Sequence, residues 1–262
     1  EDNPTNQKYI RNLLSLYNLN VTVVDNGKQA CSMVEQQDFD CVLMDMHMPE
    51  MNGVDATMAI RAMNDIHKSS LPIIALTAAA YKEDEEKMIS AGANAFLTKP
   101  VNEIKLLRTL ESIDEKFTMV KTHTSQEQIQ EQKHDIDMVP EMPNNSAVHA
   151  EALINRDEFQ ESFGMFGVSV LNEIIDDFVN NVDQKLLKIK SRIDDGEMRK
   201  LMLDVHSLKG EVAMFAAPLV RDALGVLEDK GKNQISEGLH NDYEVAYNLL
   251  MQLKQEIDTY KK

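Results

Sequence analysis

The 262 residues carry 27 lysines and arginines against 44 aspartates and glutamates, a formal net charge of −17. The length allows two domains of ordinary size, and so acidic a balance excludes a phosphate-backbone footprint, so no nucleic-acid partner is expected. No apolar run approaches the length that spans a bilayer and no signal peptide opens the chain, so a cytoplasmic fragment without direct membrane contact is expected. Cys31 and Cys41 have neither zinc spacing nor a Cys-x-x-Cys arrangement and read as reduced, packed thiols.

In residues 1–117, short β-type runs at Val21 to Val24, Asp40 to Met44, Leu71 to Leu76 and Ala95 to Leu97 alternate with helical stretches. The helices are predicted at Gln7 to Leu16, Lys28 to Gln36, Val54 to Met63, Glu83 to Ala91 and Asn102 to Ile113. Such alternation predicts an α/β doubly wound parallel sheet with helices on both faces. Ligands then sit at the carboxyl ends of the strands. Residues 118–152 are rich in Ser, Thr, Gln and Asn with Pro140 and Pro143, the composition of a flexible linker,. Residues 153–262 show no strand signal. Amphipathic patterns at Val168 to Ile193, Glu197 to Ala216, Pro218 to Lys230 and Ser236 to Tyr260 predict an all-α four-helix bundle,.

Four strand ends in the first half carry chemistry. Asp45 closes an apolar run and leads into Met46-His47-Met48-Pro49-Glu50-Met51-Asn52-Gly53. Glu1-Asp2, Thr77 and Lys99-Pro100 supply further carboxylates, a hydroxyl and an ammonium. Hard oxygens of this kind suit Mg²⁺, and the set suits acyl phosphate formation. Asp45 would attack phosphorus while the cations neutralise the phosphoryl oxygens and Thr77 donates a hydrogen bond. Any one of these residues alone fits an ordinary turn or cap.

In the second half, Val205-His206-Ser207-Leu208-Lys209-Gly210 puts a histidine, a lysine and a glycine on one helical surface. At about 100° per residue, Met202, Lys209, Gly210, Ala213 and Ala217 fall within roughly 60° of His206. Leu201, Val205, Leu208, Val212 and Phe215 form an apolar stripe centred about 140° away, so His206 is expected to face water. An ordinary solvated histidine beside a lysine fits the same spacing. Gly210, which costs roughly 1 kcal/mol of helix stability relative to Ala, clears space with Ala213 for a docking protein. Lys209 would lower the proton affinity of the imidazole and offer a cation to a phosphoryl oxygen.

Glu1-Asp2-Asn3, Leu43-Met44-Asp45-Met46-His47-Met48-Pro49, Asn52-Gly53, Ala75-Leu76-Thr77-Ala78 and Lys99-Pro100 together resemble the receiver (response-regulator) domain. The resemblance implies a flavodoxin-like fold with Asp45 as phosphoacceptor and Mg²⁺ on Asp2, Asp45 and the His47 carbonyl, supported by Glu1. It also implies a cis peptide at Lys99-Pro100 and a Thr77/Phe96 switch. In that fold the acid pair closes the first strand. Nothing precedes Glu1, so the first strand is absent from this sequence and the natural chain is expected to extend upstream.

Residues 153–262 resemble histidine-containing phosphotransfer (HPt) domains. His206 stands at the phosphorylated position, with Lys209 and Gly210 in their usual places. Ala213 and Val205 depart from the glycine and alanine common there. Receiver, linker and HPt in this order look like the carboxyl-terminal end of a hybrid sensor histidine kinase. The resemblance implies a His-Asp-His-Asp relay. Asp45 takes the group from the phosphohistidine of an upstream kinase core and passes it to His206, which gives it to the receiver of a separate response regulator. No glycine-rich phosphate cradle is visible, so no ATP-binding kinase domain is expected in the fragment, and whether it is an enzyme by itself stays open. A linker of about 35 residues permits transfer within one chain. The competing reading is a non-enzymatic scaffold whose receiver binds a partner when phosphorylated.

Overall fold

The computed structural model describes residues 1–77, 82–114, 117 and 153–261. The chain divides into two compact units, Glu1–His123 and Thr124–Lys262. The predicted linker, 118–152, lies outside the described residues.

The first unit runs α1 (Pro4–Ser15), α2 (Gly27–Gln36), β1 (Val42–Asp45), α3 (Gly53–Arg61), α4 (Ile66–Ser69), β2 (Ile73–Thr77), α5 (Lys82–Ala91), β3 (Ala95–Thr98) and α6 (Glu103–Ile113). Asparagine starts most of these helices. Asn3, Asn26, Asn52 and Asn102 accept backbone N–H bonds at the first turns of α1, α2, α3 and α6, each worth about 1 kcal/mol. The three strands form a parallel sheet in the order β1-β2-β3, with Asp45 opposite Leu76 and Thr77 opposite Thr98. β2 is buried along its whole length, as expected of a central apolar strand covered on both faces. Ala30 and Val34 of α2, Ala56 and Ile60 of α3 and Met88 of α5 pack with Met44, Ile73 and Ala75 into one core. The Tyr9 hydroxyl of α1 donates to the Val101 carbonyl just ahead of α6.

One expected strand does not form. Val21–Val24 joins no ladder among the described residues. Between this segment and β1 lies a cavity of about 600 Å³, lined by Val21 to Val24, Val42 to Met44, Leu14 and Leu110. A strand exists only through its neighbour's hydrogen bonds. The β-branched run of Val21 to Val24 stands one cavity away from the nearest strand.

The second unit runs α7 (Arg156–Phe163), α8 (Val168–Asp194), α9 (Met198–Met214), α10 (Pro218–Asn233) and α11 (Leu239–Asp258). The four long helices match the predicted ones. They pack in a ring, α8 against α9 and α11, and α10 against α9 and α11. Phe178 and Phe215 meet at 4.8 Å between ring centroids in the interior. α7 was not expected. It is short, but Asn155 caps it and Phe159 and Phe163 lay it on Tyr260 and Phe215.

Candidate functional site

β1 is an apolar run that carries Asp45, 1 % exposed, to the carboxyl edge of the sheet. The chain then turns through His47, Pro49 and Asn52 into α3, and this turn needs glycine at position 53. The Gly53 amide donates to the Met46 carbonyl at 2.9 Å, and a Cβ there would stand 2.1 Å from the Asp45 carbonyl oxygen,. Glu1 and Asp2 come alongside, with the Asn6 side chain donating to Glu1 Oε1 at 2.8 Å. Carboxylate oxygens of Glu1, Asp2 and Asp45 lie within 4.8 Å of one another. Lys99, just past β3, reaches both Asp45 Oδ2 and Glu1 Oε2 at 2.6 Å.

The charges are unbalanced. Burial, together with the carboxylates of Glu1 and Asp45, pushes the Asp2 carboxyl up to about 6 against the pull of Lys99. Burial opposes the charge on Lys99, but Asp45 and Glu1 overcome it and raise the ammonium above its ordinary range. Three clustered carboxylates facing Lys99 form a hard-oxygen set short of positive charge, and such a set fits a divalent cation of the Mg²⁺ type,. Thr77 is buried at the end of β2, one residue past Asp45's ladder partner, and its carbonyl accepts from the Lys99 amide at 2.7 Å. Phe96 pairs with Ala75 and packs partly buried against the core. The Lys99-Pro100 bond is cis. Ala78, which follows Thr77 in the motif, lies outside the described residues.

The second site is built from α9 and α10. The stripe of Leu201, Val205, Leu208, Val212 and Phe215 is fully buried, as the helical spacing predicts. The expectation that His206 faces water is wrong: His206 is 8 % and Lys209 7 % exposed. His206 does lie opposite the apolar stripe of α9, but α10 packs against α9 and covers that face separately. Gly231 allows that approach, since a Cβ there would already lie 3.1 Å from the Met202 amide nitrogen. The approach brings Glu228 to His206, with Nδ1 2.5 Å from Glu228 Oε1, while Lys209 pairs with Glu228 Oε2. Gly210 is buried and Ala213 half-buried on the same helix.

Glu228 ends the stretch from Ala217 that resembles HPt domains, but sequence reasoning gave it no role in the site. The available signal was its place in a buried stripe, beside Leu227 and between Leu224 and Gly231. A carboxylate at helical core spacing needs a buried cationic or hydrogen-bonding partner.

Burial works against the Glu228 charge, but the hydrogen bonds and charges of His206 and Lys209 prevail and hold the carboxyl at about 2. A group whose folded value is depressed contributes stability that is complete above its unfolded value and lost as pH falls toward the folded one. The second unit is therefore expected to lose about 3 kcal/mol as pH falls from about 4.5 to 2, from this group alone. Denaturant unfolding at several acidic pH values checks this, with a flatter profile expected for Glu228→Gln.

Two family models match the chain: the response regulator receiver domain over residues 1–111 and the Hpt domain over residues 173–262. The hybrid signal transduction histidine kinase I of Dictyostelium discoideum is 40% identical over 107 residues, 39% of this chain and 6% of that protein. The sensor protein GacS of Pseudomonas syringae pv. syringae is 40% identical over 111 residues, 42% of this chain and 12% of that protein. BarA, a signal transduction histidine-protein kinase of Escherichia coli K12, is 39% identical over 106 residues, 40% of this chain and 11% of that protein. The chain thus spans 6% to 12% of the length of these relatives. Among solved structures, the receiver domain of the sensor histidine kinase PA1611 from Pseudomonas aeruginosa PAO1, with a magnesium ion in its active site cleft, is 41% identical. That match covers 43% of this chain and 90% of that one at a TM-score of 0.40. No helix among the described residues is long and apolar enough to cross a membrane. Residues 1–111 thus carry a response regulator receiver domain and residues 173–262 an Hpt domain.

Proposed function

We propose that the chain is the receiver–HPt segment of a multistep phosphorelay, in which Asp45 receives a phosphoryl group from a phosphohistidine and His206 takes it from Asp45. The observation that carries this reading is a matched pair of stations. One is a buried carboxylate beside two further carboxylates and a lysine. The other is a buried imidazole hydrogen-bonded to Glu228, with Lys209 on the same carboxylate.

At the first station an Asp45 oxygen attacks phosphorus as the N–P bond of the donor breaks and its electron pair returns to the donor imidazole. Lys99 already lies against Asp45 and is placed to balance the growing negative charge, and the Thr77 hydroxyl is the neighbouring donor. Glu1, Asp2, Asp45 and the His47 carbonyl would hold Mg²⁺, which when bound supplies positive charge to the phosphoryl oxygens. At the second station the His206 imidazole accepts the group from the Asp45 acyl phosphate and presents it to the receiver of a separate response regulator. The upstream donor is the kinase core of the same family of proteins, and the cytoplasm is the compartment such a relay requires. A scaffold without chemistry has no need of the clustered acids, Lys99 and the His206–Glu228–Lys209 triad together.

The test uses the full chain with a small acyl phosphate donor. Chelating the divalent cation is expected to lower labelling of Asp45 by at least about 100-fold, with recovery on adding Mg²⁺. Undiminished labelling in excess chelator contradicts the cation's assigned role.

A further inference from the structure

Glu1 and Asp2 stand immediately ahead of the first turn of α1, and that turn holds one of them in place. Asn3 Oδ1 accepts from the amides of Thr5 and Asn6 at 2.9 and 3.2 Å, which fixes the start of the helix,. Asn6, itself buried, reaches back from this turn, and its Nδ2 donates to Glu1 Oε1 at 2.8 Å. The other oxygen, Glu1 Oε2, lies 2.6 Å from Lys99 Nζ. Gln7 Nε2 ties the main chain at the same point, donating to the Glu1 carbonyl at 2.5 Å and to Asp25 Oδ1 at 2.9 Å. The two carboxylate oxygens of Glu1 are therefore occupied from different elements, one by α1 and one by the residue after β3. To grip an ion with both oxygens, Glu1 would have to give up both contacts.

We propose that Asn6 sets the cation preference of the receiver site by holding Glu1 out of direct ligation, a reading that rests on the divalent-cation site assigned above. With Glu1 withheld, Asp2, Asp45 and the His47 carbonyl offer an ion a sparse protein shell that water completes. Such a shell suits Mg²⁺, which binds through few carboxylates and gives up its waters reluctantly. It serves Ca²⁺ poorly, because the larger ion takes more oxygens and favours carboxylates that grip with both. Once the Asn6 donor is removed, Glu1 Oε1 is released to turn toward the ion while Oε2 stays with Lys99, and the site gains a third carboxylate. The larger ion, with its more adaptable geometry, gains most. Asn6 is thus a positioning residue that acts through Glu1, as outer partners of metal-binding carboxylates do.

The experiment titrates the full-length chain with Mg²⁺ and with Ca²⁺, each alone, by calorimetry, and repeats both titrations on Asn6→Ala, Glu1→Gln and the double variant. Asn6→Ala keeps the backbone amide that Asn3 caps, so α1 keeps its start. The parent is expected to bind Mg²⁺, and Asn6→Ala to bind Ca²⁺ about tenfold more tightly while its Mg²⁺ affinity changes by less than about threefold. In the Glu1→Gln background the same replacement of Asn6 is expected to leave the ratio of the two affinities unchanged, because the carboxylate it acts through is gone. An unchanged ratio in Asn6→Ala overturns the proposal while the cation site stands. So does an equal change of ratio with and without the Glu1 carboxylate, which a merely structural role of Asn6 would give. A parent that binds no Mg²⁺ overturns the cation site itself, and the proposal with it. Should Asn6→Ala fail to fold, Asn6→Leu, of similar size and without a donor, is held to the same criteria.

Discussion

The Asp45→Asn chain is expected to take up no phosphoryl group from either an acyl phosphate or a phosphohistidine donor, a loss of at least about 1,000-fold. The amide keeps the shape of the side chain and removes the nucleophilic oxygen pair. It also removes one of the charges that raise the Asp2 carboxyl, while Lys99 keeps its contact with Glu1 at 2.6 Å. The variant is therefore expected to be at least as stable as the parent in thermal unfolding, which separates lost chemistry from lost structure. Asp45 is 1 % exposed, so charging it requires the donor phosphorus to enter the cluster from the carboxyl edge of the sheet. A base-labile label on the parent, absent from the variant, is the direct reading.

The second large effect is expected from His206→Gln. Asp45 should charge at its ordinary rate, and delivery to a separate receiver should fall by at least about 1,000-fold, so the acyl phosphate accumulates. A glutamine amide can still donate to the Glu228 carboxylate that His206 Nδ1 meets at 2.5 Å in the parent, so the α9–α10 contact survives. Removing the partner altogether would leave buried charge uncompensated. Following both the Asp45 label and the acceptor label over time distinguishes a stalled relay from a misfolded bundle.

The first site was legible in the sequence because its signals are local. An apolar run ending in Asp45, then Pro49 and Gly53, is a strand, a turn and a helix start written in consecutive residues, while Thr77 ends β2 and Lys99 directly follows β3. What joins these ends is the parallel sheet, which the alternation of elements predicts. Two features depended on contacts that no local pattern carries. Val21–Val24 has strand composition, but pairing is a property of two segments, and this one faces a cavity. His206 lies opposite the apolar stripe of its own helix and is buried by another helix, through Gly231 and Glu228, more than twenty positions away in the chain. Helical periodicity reports which face of one helix is apolar. It does not report which polar face a second helix will cover with a charge of its own.

The order of charging tests the account most directly. The full-length chain is given a labelled acyl phosphate with Mg²⁺ and quenched over time, and the base-labile acyl phosphate is separated from the acid-labile phosphohistidine. Label is predicted to appear first on Asp45 and, after a lag, on His206, with neither labelled in the Asp45→Asn chain. Label reaching His206 without a lag, or reaching it undiminished when Asp45 is replaced, would contradict the relay.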